Sequence, residues 1–459
     1  MWVDFEDNEK EFLDIKKKVY SFSLAEIFSQ YGIAVVKAGH KYKALCPFHM
    51  DHNIGSFVIT KHGCKCYACG FSGGFIDSII PVLASRYERN FSESDAILQI
   101  AADKNIISKD DFERLAKKQY ENKTSKETYV KVPEIEFLSD DEMKFRNNVY
   151  REVFKQAGLS NEHKTVLLEK RHVRDDSLMN YCSFSSSKSK DIAAAIKRKF
   201  PEDVDKIAKI PGFFEEKDAS GNWQLRFMGG NGIGIKIADS FNRIRGIQIR
   251  NDDDEKNKYS FLSFSFGDKS SMFRGGSSIG TPVTVVYPDK VKNPCKVAVV
   301  EGQFKAEILA QQGFIALSIQ GVNNFQEIPH ELDVLKRALC GVEISEIEIF
   351  YDADMLSNAA VLLALTKLIE LLDKKKPELQ KYIAIWDESL GKGIDDALIA
   401  GNKKKIKFIK SDRLLEVYQK NYSSSLNNFG YSEDTIRLTK EERMEFCSYF
   451  CERMKNDLL

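Results

Sequence analysis

Two knuckles of metal-ligand type constrain this chain more than any other feature. Cys46-Pro47-Phe48-His49 and Cys66-Tyr67-Ala68-Cys69 each hold two ligands with two residues between them, and sixteen residues separate the pairs. Zinc takes four tetrahedral ligands from thiolate and imidazole, and this spacing lets two turns share one ion. With all four positions filled by protein, one structural Zn²⁺ would fold a small domain rather than perform a reaction. Cys64 competes with Cys66 for the third position if the register slips, although Cys66 makes the more compact knuckle. His40, His52 and His62 lie nearby and read as surface histidines. The chain has nine cysteines, an odd number with one tight cluster, which favours a reducing compartment and metal binding over a disulfide framework.

Around the knuckles, lysines alternate with aromatics. Lys41, Lys43, Lys61 and Lys65 are candidate phosphate contacts, and Tyr42, Phe48, Phe57, Tyr67, Phe71 and Phe75 divide between a small core and base stacking. Cation plus ring is how proteins hold single strands without sequence preference. The whole chain of 459 residues has zero formal net charge, so any nucleic-acid surface must be local. Its start, Met1-Trp2-Val3-Asp4-Phe5-Glu6-Asp7, is acidic where a signal peptide is basic, and no apolar run reaches transmembrane length. The expectation is a cytoplasmic protein with no membrane partner.

Helical periodicity runs over 11–31 and 76–115, with short strands and turns between. Residues 117–133 are polar and read as a linker. Helix is expected over 140–168, and strands over 233–237 and 244–250 within a strand-and-turn region. From Cys295 the pattern becomes strand, turn, helix: strands at 296–300, 314–319, 346–351 and 382–386, helices at 306–310 and 359–372. That alternation argues a parallel sheet covered on both faces. The lysines 403, 404, 405, 407 and 410 open a basic, then helical, carboxyl-terminal stretch.

Acidic residues sit just past the ends of these strands. Glu301-Gly302 closes the first, Asp352-Ala353-Asp354 the third, and Asp395 and Asp396 follow the fourth. Ligands of open α/β sheets bind beyond the carboxyl ends of strands. Two like charges about 4 Å apart repel by roughly 4 kcal/mol at an effective dielectric of 20. A divalent cation removes that cost, and oxygen ligands suit Mg²⁺ or Mn²⁺. Glu301, Asp352 and Asp354, with Asp395 and Asp396 as completing candidates, are therefore the expected catalytic metal ligands.

At this point the residues resemble a known family. Tyr42 through His49, Ser56-Phe57 and Cys66 through Gly70 look like the zinc module of DnaG-type bacterial primases, closest to primase-like proteins of phages, plasmids and integrated elements. The acidic pairs look like the Toprim fold. Ile235 through Asp239, Gly246 through Arg250, and Lys258-Tyr259 resemble the family's amino-terminal catalytic subdomain. The resemblance implies an α/β multidomain chain. A zinc-ribbon-like template domain over 1–116 is followed by a linker at 117–135. A mixed α+β subdomain at 136–290 precedes a Toprim catalytic domain at 291–400 and a basic, helical extension at 401–459. It implies synthesis of RNA primers from ribonucleoside triphosphates on single-stranded DNA, with a separate replicative helicase as partner. Lys236, Arg243, Arg250 and Lys258 would clamp template or nucleotide.

The chain departs from the family pattern at Ala238, where an arginine is usual, and at Gly393, where an acidic residue is usual. No Gly-x-x-x-x-Gly-Lys-Ser/Thr loop occurs, so a fused primase-helicase is not expected. The alternatives are a non-catalytic zinc/Toprim single-strand-binding mediator, which is typically shorter with four cysteines, and a Toprim nuclease, which often works with an ATPase.

Overall fold

The structure is a computed structural model that describes residues 3–61, 63–87, 89–121, 137–253, 258–265, 272–431 and 438–459. The chain forms two compact units, one of 1–135 with 355–366 and 415–458, the other of 136–354 with 367–414 and Leu459. The carboxyl-terminal stretch is therefore not a separate appendage. The helices Lys440–Leu458 and most of Ser411–Phe429 belong to the unit that carries Cys46, His49, Cys66 and Cys69.

In the first unit, five short antiparallel strands lie in chain order: Val36–Ala38, Lys41–Ala44, Phe57–Ile59, Gly63–Cys66 and Ser72–Gly74. The expected helix over 11–31 is two helices, Val3–Val19 and Leu24–Gln30. Ser23 ends the first run because it starts the second: its hydroxyl caps the Glu26 N–H while Glu26 answers with a bond to the Ser23 N–H. The helical run over 76–115 likewise divides into Phe75–Tyr87, Glu93–Asp103 and Lys109–Glu121. A second capping box at Ser92 restarts it. Helix continues to Glu121, so the expected linker begins later than 117; residues 122–136 lie outside the described residues. Leu24, Ile27, Phe28, Phe57, Ile59, Ile79 and Leu83 form the core against which the cysteine-bearing turns pack.

In the second unit, the helix Asp140–Ala157 stops at Gly158, whose φ of 65° only glycine adopts at little cost. A four-stranded antiparallel sheet is ordered Tyr259–Phe261, Ile244–Asn251, Gly232–Ala238, Tyr181–Phe184. The alternating stretches read from the sequence are neighbours in it, with Ile247 opposite Lys236.

The six-stranded sheet is ordered Thr284–Val286, Ile315–Ile319, Lys296–Glu301, Glu346–Phe350, Gln380–Ile385, Lys407–Lys410. Its four central strands are parallel, and both edge strands are antiparallel. Val297, Val299, Val300, Ile347, Ile349 and Ile383 are buried, as a sheet covered on both faces requires. The sheet thus reaches beyond 291–400 at both ends, and the helix Ile328–Ala338 is an element the sequence reading did not place. Among the described residues, no helix is long and apolar enough to cross a membrane.

Candidate functional site: a zinc knuckle pair and a carboxylate cavity

Cys46 lies just past the strand Lys41–Ala44, and Cys66 ends the strand Gly63–Cys66. With His49 and Cys69 from the following turns, they bring one ligand atom each to within 4.8 Å of one another, all buried. The Cys46 and Cys69 sulfurs are 3.8 Å apart, which matches the edge of about 3.8 Å expected for a tetrahedron with Zn–S bonds near 2.3 Å. Both ring nitrogens of His49 are buried without a hydrogen-bond partner. Burial pushes the Cys46 thiol up, whereas hydrogen bonds from Cys46 and Cys66 pull Cys69 down. Crowded thiols with an orphaned imidazole are what a zinc ion resolves, and the donor set fits one. Cys64 donates instead to the Ser78 hydroxyl at 3.1 Å, so Cys66 is the third member of the cluster.

The carboxylates meet at the carboxyl edge of the parallel strands. Glu301 ends its strand, and Gly302, at φ 93°, turns the chain directly into the helix Gln303–Gln311. The adjacent strand Glu346–Phe350 delivers Asp352 two residues past its end. The Ala353 N–H bonds the Lys392 carbonyl at 2.9 Å, which ties the aspartate loop to the turn before Ile394–Ile399, the helix that carries Asp395. Glu301, Asp352 and Asp395 line one cavity of about 400 Å³, together with Lys305, Lys258, Arg171, Gln248 and Gln320.

Burial pushes the Glu301 carboxyl up, Lys305 opposes that, and Asp352 and Asp354 add to it. Burial likewise raises Asp395, whose Oδ1 is buried with no hydrogen-bond partner. Lysines offset the other two charges: Lys305 pairs with Asp352, and Lys392 with Asp354 at 2.7 Å. An all-oxygen donor set with an orphaned carboxylate oxygen fits a hard divalent cation. Among the described residues, the cysteine–histidine cluster is the only His, Cys, Asp and Glu group drawn this close together.

Residues 9–114 match the CHC2 zinc finger family. The amino-terminal segment is similar to a CHC2 zinc finger. Residues 289–405 match a domain of unknown function, DUF3854, over the stretch that holds the parallel strands and every expected carboxylate. No curated protein matches the chain. Among solved structures, it is similar to the zinc binding and RNA polymerase domains of the Aquifex aeolicus primase. There the identity is 17%, over 97% of this chain and 98% of that one, with a TM-score of 0.42. The RNA polymerase domain of Mycobacterium tuberculosis primase DnaG gives 14% identity, 69% and 94% coverage and a TM-score of 0.39. A DNA primase domain from Pseudomonas aeruginosa gives 16%, 66% and 99%, and 0.41.

The five-stranded sheet of this segment sorts its lysines and rings by strand register. Lys43 and Lys65 both neighbour Val58 across the sheet, and Lys41 shares their side of its strand. This face is opposite the one that buries Cys64, Cys66, Phe57 and Ile59. Lys61 is exposed in the turn after Ile59. Of the expected aromatics, Tyr42, Phe48, Phe57, Phe71 and Phe75 belong to or pack on the core. Tyr67 is exposed, with the Lys65 ammonium 5.4 Å from its ring centre. His40 is exposed, His52 is half-buried outside the cluster, and His62 lies outside the described residues.

Of the expected nucleotide or template contacts, Lys258 lines the carboxylate cavity. Arg250 is paired across the sheet with Tyr259, which also lines it. Lys236 is turned to Asn242 at 2.6 Å. Arg243 is ion-paired to Asp239 and Asp140 and lines a different cavity. Asp354 is held by Lys392, and Asp396 accepts the Gly393 N–H at 3.1 Å as a helix cap; neither lines the carboxylate cavity. The sequence reading missed Arg171 and Lys305. Lys305 had a signal, since it stands four residues after Glu301 on the helix that Gly302 begins. Arg171 had none: only folding brings it against the Phe304 ring, 5.1 Å from its centre.

Proposed function

We propose that the chain is a DNA primase of the DnaG type, with a Toprim-like catalytic sheet, which synthesises short RNA primers on single-stranded DNA. The observation that carries this reading is the composition of one cavity. Three carboxylates, Glu301, Asp352 and Asp395, face Lys305, Lys258 and Arg171 at the carboxyl edge of the parallel strands. A nucleoside triphosphate with a divalent cation is the ligand class that needs both signs of charge in one place.

In this reading Glu301, Asp352 and Asp395 hold Mg²⁺ or Mn²⁺, with Asp354 behind them. Such a cation supplies charge neutralisation at the triphosphate and lowers the pKa of an attacking hydroxyl. Lys305, Lys258 and Arg171 bind phosphate oxygens, and Gln248 and Gln320 offer neutral hydrogen bonds to the nucleotide or template. Nucleotidyl transfer forms a bond from the primer 3′-oxygen to the α-phosphorus and breaks the bond to pyrophosphate. Fixed cations beside the leaving group stabilise its charge without reorganisation.

The CHC2 zinc finger presents Lys41, Lys43, Lys61, Lys65 and Tyr67 to the template strand, with lysines on phosphates and the ring on a base. The match of residues 9–114 supports the primase assignment over a nuclease, and a source in a phage or other mobile element and a separate helicase partner belong to the same reading. The test is synthesis of labelled primers on single-stranded DNA with ribonucleotides and Mg²⁺ or Mn²⁺. Tight strand binding without products favours a non-catalytic mediator. Template degradation that depends on Asp352 favours a nuclease.

A further inference from the structure

The helix Lys440–Leu458 shares a compact unit with the CHC2 zinc finger. Arg443 in its first turn is only 3% exposed, and a guanidinium leaves water at low cost only against strong partners. Those partners are backbone carbonyls of the first knuckle. Arg443 Nη1 donates to the Cys46 carbonyl at 2.8 Å, and to the His49 and Asp51 carbonyls at 3.3 and 3.4 Å. Its Nε donates to the Leu438 carbonyl at 3.2 Å, so the guanidinium joins the start of its own helix to the knuckle. One turn on, the Cys447 thiol donates to the Met50 carbonyl at 3.4 Å.

The knuckle is also held through Asp51, which is buried. Its carboxylate accepts the Cys46 N–H at 2.8 Å and the Asn53 N–H at 3.1 Å, and stands 3.9 Å from His49 Nε2. The loop from Cys46 to Asp51 carries two of the four ligands in the cluster, and its conformation is fixed from both sides.

We propose that Arg443 is a positioning residue of the zinc site, and that the carboxyl-terminal helix is a clamp on the first knuckle. Partners outside the ligand set orient ligands and tune a metal centre. Arg443 does both, because it fixes the backbone that presents Cys46 and His49 and adds a buried positive charge. A zinc ion with three thiolates and a neutral imidazole has a net charge of minus one, which that guanidinium offsets. The proposal rests on the cluster holding zinc, as the family match and the ligand geometry support.

The test is zinc affinity of the full chain by competition with a chromogenic chelator, with far-UV circular dichroism as the check on folding. Arg443→Met keeps the buried stem and removes the donors, and should hold zinc roughly 10–100-fold more weakly. Arg443→Lys keeps the charge but cannot span three carbonyls, and should show a smaller loss. Arg453→Met, on the same helix but bonded to Asn421 and Tyr449, should hold zinc like the wild type. Wild-type affinity in folded Arg443→Met overturns the proposal, as does an equal loss in Arg453→Met. If Arg443→Met does not fold, wild-type affinity in Arg443→Lys overturns it. Wild-type protein without zinc fails the zinc reading itself, and the clamp falls with it.

Discussion

Lys305, on the helix that follows Glu301, is ion-paired to Asp352 at the end of the neighbouring strand. Burial opposes the lysine's charge, yet Asp352, joined by Glu301 and Asp395, holds the ammonium above its ordinary value. The cation the sequence reading assigned to a metal is thus supplied in part by the chain. A metal ion entering the cavity competes with this lysine for Asp352, and an incoming triphosphate gives the lysine another partner.

Lys305→Met should therefore act in two directions. Without nucleotide, Mn²⁺ should bind about tenfold more tightly, a change of ~1.4 kcal/mol. Ribonucleoside triphosphates should bind more weakly. Electron paramagnetic resonance titration of Mn²⁺, with and without nucleotide, reads both; unchanged Mn²⁺ affinity contradicts a competition at Asp352.

Gly393 stands against the Asp395 carboxylate and the Lys305 side chain. A Cβ there would lie 2.2 Å from Asp395 Oδ1 and 3.0 Å from Lys305 Cε. Gly393→Ala should fold with a cost of about 1–3 kcal/mol and swing the Asp395 carboxylate out of the cavity. The expected result is weaker Mn²⁺ binding in a folded protein. Wild-type Mn²⁺ binding in that variant removes Asp395 from the metal shell.

Lys236 offers a pH signature away from the cavity. Burial pulls its ammonium down to about 8 from its ordinary 10.5. Between those values the unfolded chain carries a proton that the folded chain has released. Stability should rise with pH across this window, by at most about 1.4 kcal/mol per pH unit. The contribution is complete above 10.5 and lost as pH falls to about 8. Urea unfolding at both ends of the window should show the slope in the wild type and a flatter one in Lys236→Met.

Chelation of zinc should loosen the first unit before the second. The four ligands sit at the end of, or in the turns after, strands too short to stand alone, and the buried thiols join the core around Phe57 and Ile59. Limited proteolysis after chelator treatment should cut within residues 41–74 while the six-stranded sheet stays protected. Equal loss of both units argues against separate cores.

The zinc cluster was legible because ligand type and spacing alone define it, and the parallel strands because they are continuous apolar runs such as Val297-Ala298-Val299-Val300. Glu301, Asp352 and Asp395 followed from strand ends. Other features depend on long-range packing that periodicity does not encode. Arg171 reaches the cavity through the fold. Lys236 lies on a strand read correctly and Arg243 just before another, but they are turned to Asn242 and Asp239. The edge strands Thr284–Val286 and Lys407–Lys410 are short and join the sheet only by pairing. The helix breaks at Ser23 and Ser92 were written in the sequence as capping boxes, but apolar periodicity ran across them.

The most direct measurement is primer synthesis on mixed-sequence single-stranded DNA with labelled ribonucleotides and Mg²⁺ or Mn²⁺, wild type against Asp352→Ala. The account predicts short labelled products from the wild type, none from the variant, and strand binding kept in both. Full synthesis by Asp352→Ala, or intact strand binding with no synthesis by the wild type, would contradict it.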